Sequence, residues 1–317
     1  MGDYTPHRTL ETNIMKRREL FRISTAMGLG AALPALGLAK PPAAGTAAPA
    51  APLQPPAEGS IPVAFLLSDN AVVIDFGGPW EVFSNVSIPG RGEGPVFQLY
   101  TVAATEAPIT TAGGMKIVPN YTVANAPAPK VIVVPAQTVR DPAVLEWLRR
   151  ASRTADLTMS VCTGAFVLAR AGLLDGKSAT TFHGAFSDFA MRYPAVTLKR
   201  GARFVEEGNI ATAGGLSSGI DLALRVVERY FGRNVASTTA YTLEYQGKGW
   251  LDPASNNIYA KRRVSTARHP VCPVCEMDVD KATASSTVYR RQTYYFCMED
   301  HKSVFLANPA NFAVPGA

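Results

Sequence analysis

The sequence predicts an α/β fold with a doubly wound, mostly parallel sheet, followed by a small C-terminal α+β module. Between residues 61 and 245, short β-branched runs alternate with helical segments, which is typical of a parallel sheet covered on both faces. A cysteine stands where one of these runs turns into a helix, and the other three of the four cysteines lie beyond residue 271. The chain is therefore expected to carry two different cysteine sites.

Residues 1–39 are interpreted as an export signal. KRRELFRISTAMGLGAALPALGLA has a basic start, an apolar centre and a small-residue end, with cleavage expected after Ala39. The paired Arg17 and Arg18 resemble a twin-arginine signal, which implies the twin-arginine export machinery as a partner and a periplasmic location. The alternative is an uncleaved membrane anchor. However, the apolar run is short and contains Pro34, whereas a span needs about 20 apolar residues.

Residues 40–60 are rich in alanine and proline and predict an extended, disordered tether. The net charge of +6 does not indicate a nucleic-acid partner, because part of it lies in the signal. Apart from the short run Lys261, Arg262 and Arg263, the other basic residues are scattered, as on a solvated surface.

The predicted strands of the domain from 61 to 245 are IPVAFLL, FQLYTVAA, VIVV, LTMSV and NIATA. The predicted helices are PAVLEWLRRAS, TGAFVLARAG and SGIDLALRVVERYF. GGLSSG, before the last helix, lacks a dinucleotide or phosphate-loop pattern. Gly214 and Gly215 are therefore interpreted as a tight turn and Ser217 as a helix cap.

Cys162 follows the strand LTMSV, at the edge of a parallel sheet where ligands collect. Its surroundings, Ser-Val-Cys-Thr-Gly, have the spacing of a nucleophile elbow, in which small residues permit a sharp turn into a helix. At a helix N-terminus the thiolate is expected to be favoured over the thiol. The Thr163 amide is expected to stabilise an oxyanion. The alternatives are a buried core cysteine or half of a disulfide.

Three separated motifs, IDFGGPWEVF, SVCTGAFVLARAGLLDGKSATTFHG and NIATAGGLSSGIDLALRVVERYFG, resemble the ThiJ/PfpI family. The likeness is greatest to its isonitrile hydratase branch, which adds water to an isocyanide carbon to give an N-substituted formamide. The resemblance implies the class I glutamine amidotransferase-like fold, a small-molecule substrate and a homodimer. It places the nucleophile at Cys162 and a neighbouring acid at Asp75, which the thiolate's charge could keep protonated.

The alternative for Asp75 is a loop residue ahead of a helix whose first turn is Pro79, Trp80 and Glu81. Two departures from the family also bear on activity. The family's Pro-Gly-Gly oxyanion loop is replaced by Pro135, Ala136 and Gln137, and a histidine expected directly after a Thr-Thr pair is shifted by one place to His183. His183 is therefore a further candidate of uncertain role. Some relatives join this domain to DNA-binding helices, and the sequence predicts no such module here.

Residues 246–270 predict a polar linker. Residues 271–317 predict a compact module with two strands, one on each side of Arg290 and Arg291. Cys272, Cys275, Cys297 and His301 form two close pairs, an arrangement that predicts a tetrahedral metal site for zinc or for copper. A disulfide is the alternative, but three cysteines leave one over.

The module resembles a YHS domain in the sequences PVCEM and YFC. This resemblance implies metal binding, although His301 stands where the pattern has a last cysteine and Cys272 is an addition. His269 is a further conceivable ligand, more typical of a solvated linker residue.

The sequence as a whole thus predicts an exported, cysteine-dependent hydratase or hydrolase acting on a small C–N electrophile. The alternative is a non-catalytic periplasmic protein that binds metal or responds to redox stress.

Overall fold

In a computed structural model of the chain, the structure describes residues 50–92, 94–139, 141–266 and 268–313. These belong to one compact unit, Ala48–Ala317. The predicted export signal, residues 1–39, lies outside the described residues, as does most of the first half of the predicted tether.

Most strands occur where the sequence predicts them, and the predicted fold class is confirmed. The strands are β1 (Ile61–Leu66), β2 (Phe97–Ala103), β3 (Ile109–Thr110), β4 (Lys116–Ile117), β5 (Tyr121–Thr122), β6 (Val131–Val134), β7 (Leu157–Ser160), β8 (Ser178–Ala179), β9 (Thr197–Leu198), β10 (Phe204–Glu207), β11 (Ile210–Ala213), β12 (Ser285–Tyr289) and β13 (Gln292–Phe296).

The main sheet has seven strands in the order β10, β11, β7, β6, β1, β2, β5. Its pairings are parallel except for that of β10 with β11, which is antiparallel. The nucleophile-elbow strand β7 lies between β6 and β11, so its carboxyl end is surrounded by the loops that leave those neighbours.

The helices are α1 (Val73–Ser84), α2 (Pro142–Ser152), α3 (Gly164–Arg170), α4 (Phe186–Arg192), α5 (Ser218–Phe231), α6 (Arg233–Thr242) and α7 (Glu299–Ala307). Short 3₁₀ turns occur at His183–Ala185, Gly249–Leu251, Asn257–Tyr259 and Pro309–Asn311. The predicted bounds of α2 and α5 match those of the structure. The bounds of α2 follow from local chemistry, since Pro142 opens the helix and Asp141 accepts a hydrogen bond from the Ala143 amide at 2.8 Å.

Each strand of the sheet divides its side chains between two apolar cores, because successive residues point to opposite faces. In β1, Val63 and Phe65 face the core that packs against α1, α5 and α6. Ala64 and Leu66 face the second core, which contains side chains of α2, α3 and α4. This second core extends into the C-terminal module.

Two helix starts differ in detail from the sequence analysis: the alternative that placed Asp75 in a loop does not hold, and Ser217 occupies the predicted cap position without a capping side-chain hydrogen bond. Helix α1 begins at Val73, so Asp75 lies in its first turn and not in a preceding loop, and Pro79 lies inside the helix. Ser217 precedes α5, but its side chain makes no capping hydrogen bond to that helix. Its hydroxyl instead accepts a hydrogen bond from the Arg203 guanidinium at 3.0 Å, a long-range partner that local sequence does not reveal.

Part of the predicted tether, around Ala51 and Leu53, contacts the sheet domain. The Leu53 amide donates to the Arg229 carbonyl at 2.8 Å, and the Arg229 Nε donates to the Ala51 carbonyl at 3.0 Å. Leu53 also packs against the first core. Two backbone hydrogen bonds and an apolar contact therefore hold this segment against α5.

The C-terminal module is a hairpin of β12 and β13 followed by α7, as the strand pattern predicts. Arg290 and Arg291 both have positive φ, 50° and 66°, which is the conformation of a two-residue type I′ hairpin turn. Phe296, Phe305 and Phe312 are fully buried in the second core. Burial of these rings fixes the module against the sheet domain.

The polar segment from 246 to 270, predicted as a linker, also contacts the sheet domain. Trp250 is buried in the first core, and its amide donates to Asp221 at 2.9 Å. The Arg203 amide donates to the Pro253 carbonyl at 2.6 Å. Within the part of the chain that the structure describes, no helix is long and apolar enough to cross a membrane.

Candidate active site and metal centre

Cys162 occupies a strained turn between β7 and α3. Its φ is +58°, a left-handed conformation that costs a non-glycine residue about 1–3 kcal/mol. The turn is held on both sides, because the Cys162 amide donates to the Gly214 carbonyl at 2.8 Å and its carbonyl accepts from the Thr181 hydroxyl at 2.9 Å. The side chain is buried at 8% exposure. The thiol faces the Asp75 carboxyl and the amides of Thr163 and Leu216.

The residue after the elbow must be small, as the motif predicts. A Cβ on Gly164 would lie 2.1 Å from the Val134 carbonyl oxygen and 2.9 Å from that of Pro135. Real Cβ atoms do not approach backbone oxygens so closely, so the start of α3 packs directly on the end of β6.

Two backbone amides face the Cys162 sulfur, one from Thr163 and one from Leu216, and both lower the pKa of the thiol. They are outweighed first by burial and then by the nearby Asp75 carboxylate, which together raise the pKa of Cys162 to about 11. The expectation that the helix N-terminus favours a thiolate was therefore wrong for the free protein. Loss of hydration and a neighbouring negative charge raise the pKa of the thiol by more than the two amides lower it.

Asp75 is fully buried beside the thiol. Its Oδ2 accepts a hydrogen bond from the Ala136 amide at 3.1 Å, and its Oδ1 has no N–H or O–H donor among the described residues. Burial raises the pKa of Asp75 to about 6, against the lowering effects of the Ala136 amide and the Cys162 thiol. The carboxyl is therefore protonated more easily than a free aspartate, and the cause is burial and not, as the sequence analysis expected, the charge of a thiolate.

The altered loop after β6 supports Asp75. The Ala136 amide points inwards to the Asp75 carboxyl, and the Ala136 carbonyl accepts from the Val72 amide at 2.9 Å. The Gln137 Nε2 donates to the Leu66 carbonyl at 2.9 Å. Without the glycines of the family pattern, the loop thus fixes the acid, and the Ala136 amide is already occupied in the free protein.

His183 lies on the surface in a 3₁₀ turn. Its ring stacks on Tyr259 with centroids 4.4 Å apart and an angle of 13°, and it contacts Phe182 at 4.4 Å. Phe182 packs against the core that contains Cys162, and its ring occupies the space next to Gly215. Phe182 therefore lies beside the turn at Gly215, while the His183 ring lies against Tyr259 in the segment from 246 to 270.

Sequence reasoning missed Leu216. Its φ of +47° turns its amide towards the Cys162 sulfur, while its side chain is 45% exposed. The glycine pair before it indicates only a turn. That the turn meets the elbow follows from the parallel pairing of β11 with β7.

A second group of side chains lies in the C-terminal module. The ligand atoms of Cys272, Cys275, Cys297 and His301 all lie within 4.8 Å of one another. The Cys275 and Cys297 sulfurs are 3.6 Å apart, and the His301 Nδ1 lies 3.2 Å from Cys297 and 3.6 Å from Cys272. All four cysteines of the chain are free thiols. The structure thus gives a Cys₃His group that could hold a metal ion, and His269 is not part of it.

The spacing of these atoms fits a tetrahedral ion. With Zn–S near 2.3 Å and Zn–N near 2.0–2.1 Å, tetrahedral angles place two sulfurs about 3.8 Å apart and a sulfur and nitrogen about 3.5 Å apart. The Cys275–Cys297 and Cys272–His301 separations, both 3.6 Å, lie close to these values, and the Cys297–His301 separation of 3.2 Å is shorter. No two of the four ligand atoms are more than 4.8 Å apart. A disulfide would bring two sulfurs to about 2.05 Å, so the disulfide alternative does not describe this arrangement.

The fold and the first site together define a doubly wound α/β protein with an elbow cysteine beside a buried acid. Residues 62–229 match the DJ-1/PfpI family, to which the chain belongs. Over 219 residues the chain is 31% identical to the isonitrile hydratase of Pseudomonas putida, an alignment that covers 68% of this chain and 91% of that protein.

Another relative has a different role. The HTH-type transcriptional regulator CdhR of Pseudomonas aeruginosa is 29% identical over 155 residues, covering 47% of this chain and 45% of the regulator. A crystal structure of a ThiJ/PfpI family protein from Pseudomonas syringae is 26% identical with a TM-score of 0.53, covering 60% of this chain and 77% of that one. The family alone therefore does not determine the activity.

Proposed function

We propose that this protein is a cysteine-dependent hydratase of a small C–N electrophile, with an isocyanide as the leading substrate class. The observation that carries the proposal is the pairing of Cys162 with the buried, easily protonated Asp75, in a chain 31% identical to an isonitrile hydratase. A carboxyl with a pKa of about 6 can give up and take back a proton near neutral pH.

The first step is addition of the thiol across the isocyanide carbon. The Cys162 sulfur forms a bond to that carbon, and the proton shared by the thiol and Asp75 is transferred to the same carbon. The product is a thioimidate, R–N=CH–S–Cys, and Asp75 is left as a carboxylate. Burial of the pair keeps water from competing for the proton at this stage.

The second step is attack of water on the thioimidate carbon. The Asp75 carboxylate accepts one proton from the water as the C–O bond forms and passes it to the nitrogen. As the C–S bond breaks, the second proton of the same water leaves the new hydroxyl and is transferred through Asp75 to the sulfur. The products are the formamide R–NH–CHO and the restored thiol, so one water is consumed in each cycle. The Thr163 and Leu216 amides stabilise the negative charge that develops on sulfur as it leaves.

The proposal extends to export and to a resident metal. The paired Arg17 and Arg18 support delivery to the periplasm by the twin-arginine route, with an uncleaved anchor as the alternative. In the YHS-like module, Cys272, Cys275, Cys297 and His301 would hold the ion. Three thiolates and one imidazole are a ligand set of structural zinc, which is the leading ion, and Cu(I), which also prefers thiolates, is the alternative. A bound ion would supply structural stability to a module with a small core.

A substrate screen tests the catalytic proposal. The purified protein, Cys162→Ser and Asp75→Asn are each incubated with aliphatic isocyanides, nitriles, amides and α-oxoaldehydes, and formamide formation is followed by chromatography. We expect isocyanide turnover by the wild type alone. Equal product in the wild type and in Cys162→Ser, or no turnover of any compound, would contradict the proposal.

A non-catalytic metal-binding or redox protein is the second candidate. The raised pKa of Cys162 favours it, because a thiol mostly protonated at neutral pH is a weak nucleophile until a substrate or a partner changes its surroundings. The Cys₃His group gives such a protein a function of its own. This candidate predicts metal content that persists in Cys162→Ser together with an absence of turnover in the wild type.

A further inference from the structure

A largely buried ion pair, between Arg203 and Asp221, lies next to the turn formed by residues 214–217. Asp221 in the first turn of α5 is fully buried, and its Oδ2 lies 2.6 Å from the Nε and 2.5 Å from the Nη2 of Arg203. The same carboxylate accepts from the Tyr245 hydroxyl at 3.1 Å and from the Trp250 amide at 2.9 Å. Asp221 thus has four donors, two of them from the segment that follows α6.

Arg203 contacts both ends of the turn from 214 to 217. Its carbonyl accepts from the Gly214 amide at 2.9 Å, and its Nη2 donates to the Ser217 hydroxyl at 3.0 Å. In the same turn, the Gly214 carbonyl accepts from the Cys162 amide and the Leu216 amide faces the Cys162 sulfur. The main chain of Arg203 thus contacts one end of the turn and its side chain contacts the other.

This turn needs support from outside itself. Leu216 has a φ of +47°, which a leucine rarely adopts, and Gly214 and Gly215 impose little restraint on the backbone before it. If the contacts at the two ends were lost, Leu216 would relax towards negative φ and its amide would leave the sulfur. Buried ion pairs contribute little to net stability. A role in holding the 214–217 turn would therefore explain why the pair of Arg203 and Asp221 is present.

We propose that Arg203, fixed by Asp221, is a positioning residue for Cys162: it holds the 214–217 turn so that the Leu216 amide stays directed at the sulfur. Arg203 acts on the thiol only through this turn. The inference deepens the proposed function and rests on it for the importance of Cys162 in turnover, but the geometry concerns the thiol itself and can be measured without a substrate.

The test measures alkylation of Cys162 by iodoacetamide as a function of pH, with the Cys162 peptide quantified by mass spectrometry. Arg203→Ala removes the side chain beyond Cβ. Arg203→Lys keeps a positive charge that can pair with Asp221 but lacks the guanidinium that contacts Asp221 and Ser217 together. Ser217→Ala removes the contact between Arg203 and the turn and leaves the ion pair of Arg203 with Asp221 in place. Arg225→Ala is the matched control, because Arg225 is on α5, is 17% exposed against 16% for Arg203, and pairs with Glu206 and Glu228 instead.

We expect Arg203→Ala to lower the alkylation rate about tenfold at a fixed pH below the thiol pKa, which corresponds to a loss of about one pKa unit of thiolate stabilisation. Arg203→Lys and Ser217→Ala should give smaller decreases, and Arg225→Ala none. The direction is diagnostic, since simple loosening of the structure would expose the thiol and raise the rate.

Rates in Arg203→Lys and Ser217→Ala that equal or exceed that of Arg225→Ala would overturn the inference, even if Arg203→Ala does not fold. The proposed function is judged separately by turnover. A wild type that hydrates nothing but shows the expected decreases would contradict the proposed function and leave the positioning role intact. If the wild type is active but the substitutions leave the reactivity of Cys162 unchanged, the proposed function is supported and the positioning role is contradicted.

Discussion

Gly164 packs so closely on Val134 that a Cβ added at Gly164 would lie 2.1 Å from the Val134 carbonyl oxygen. Both groups are backbone, so neither can move aside without displacing the elbow or the end of β6. We expect Gly164→Ala to lower the free energy of unfolding by about 1–3 kcal/mol or more, measured by urea denaturation. Gly113→Ala is the control, because nothing lies within 4 Å of its added Cβ. Equal stability of the two variants would show that the elbow is not packed as described.

The buried Asp75 predicts that stability depends on pH with a definite sign. Its pKa rises from 3.8 to about 6 on folding, so the folded protein binds this proton more tightly than the unfolded chain. The resulting stabilisation of the folded state is present below about pH 4 and is lost as the pH rises towards 6.

Asp75→Asn removes this titration and can still accept the Ala136 hydrogen bond. Between about pH 4.5 and about pH 8, we expect the unfolding free energy of Asp75→Asn to increase by about 2 kcal/mol relative to that of the wild type. Denaturant unfolding at the two pH values measures it. A pH-independent difference would mean that Asp75 does not titrate with a raised pKa.

The same substitution should change the reactivity of Cys162. After burial, the Asp75 carboxylate is the largest cause of the raised pKa of the thiol, and replacing it with a neutral amide removes that repulsion. We therefore expect Asp75→Asn to be alkylated by iodoacetamide faster than the wild type at pH values above 6, in the Cys162 peptide. A slower reaction would indicate that Asp75 assists the thiolate instead of opposing it.

The sequence predicted most of the main sheet and the grouping of Cys272, Cys275, Cys297 and His301 because these depend on local patterns. The all-apolar run VIVV marks β6, and two close pairs of ligands mark the Cys₃His group without any knowledge of the fold. The helix α2 was predictable to the residue because Asp141 and Pro142 signal its start.

The remaining features depend on pairs of residues far apart in the chain. The contacts of Leu216 with Cys162 and of Ala136 with Asp75 arise from strand order, which brings the ends of β11, β7 and β6 together. The pKa of Cys162 was predicted in the wrong direction, because a helix N-terminus is visible in sequence but the depth of burial is not. His183 was selected by residue type, and only the structure shows its ring stacked on Tyr259.

The metal site gives a prediction that is independent of catalysis. We expect one equivalent of zinc in the purified protein by elemental analysis, lost in Cys297→Ser and in His301→Ala but retained in Cys162→Ser. Removal of the ion with a chelator should lower the melting temperature, because metal-binding energy contributes to folding of a small module. Full metal content in Cys297→Ser would exclude the Cys₃His group as the binding site, and copper in place of zinc would correct the proposed ion.

Asn311 connects the C-terminal module to the sheet domain. Its Nδ2 donates to the Val196 carbonyl at 2.8 Å, and its Oδ1 accepts from the Leu198 amide at 2.7 Å, both in a buried setting. Asn311→Ala would leave these two backbone groups without partners, at a cost of about 1–3 kcal/mol for each. The module should then detach more readily, which limited proteolysis detects as earlier cleavage between the sheet domain and residue 271.

Asn308→Ala provides a graded control for this experiment. Asn308 makes a single contact of the same kind, from its Nδ2 to the Pro194 carbonyl at 3.1 Å, and its side chain is only partly buried. We therefore expect Asn308→Ala to accelerate cleavage less than Asn311→Ala does. If both variants are cleaved at the wild-type rate, the module is held by its apolar contacts, Phe296, Phe305 and Phe312, and the asparagines merely fill polar positions at the edge of that core.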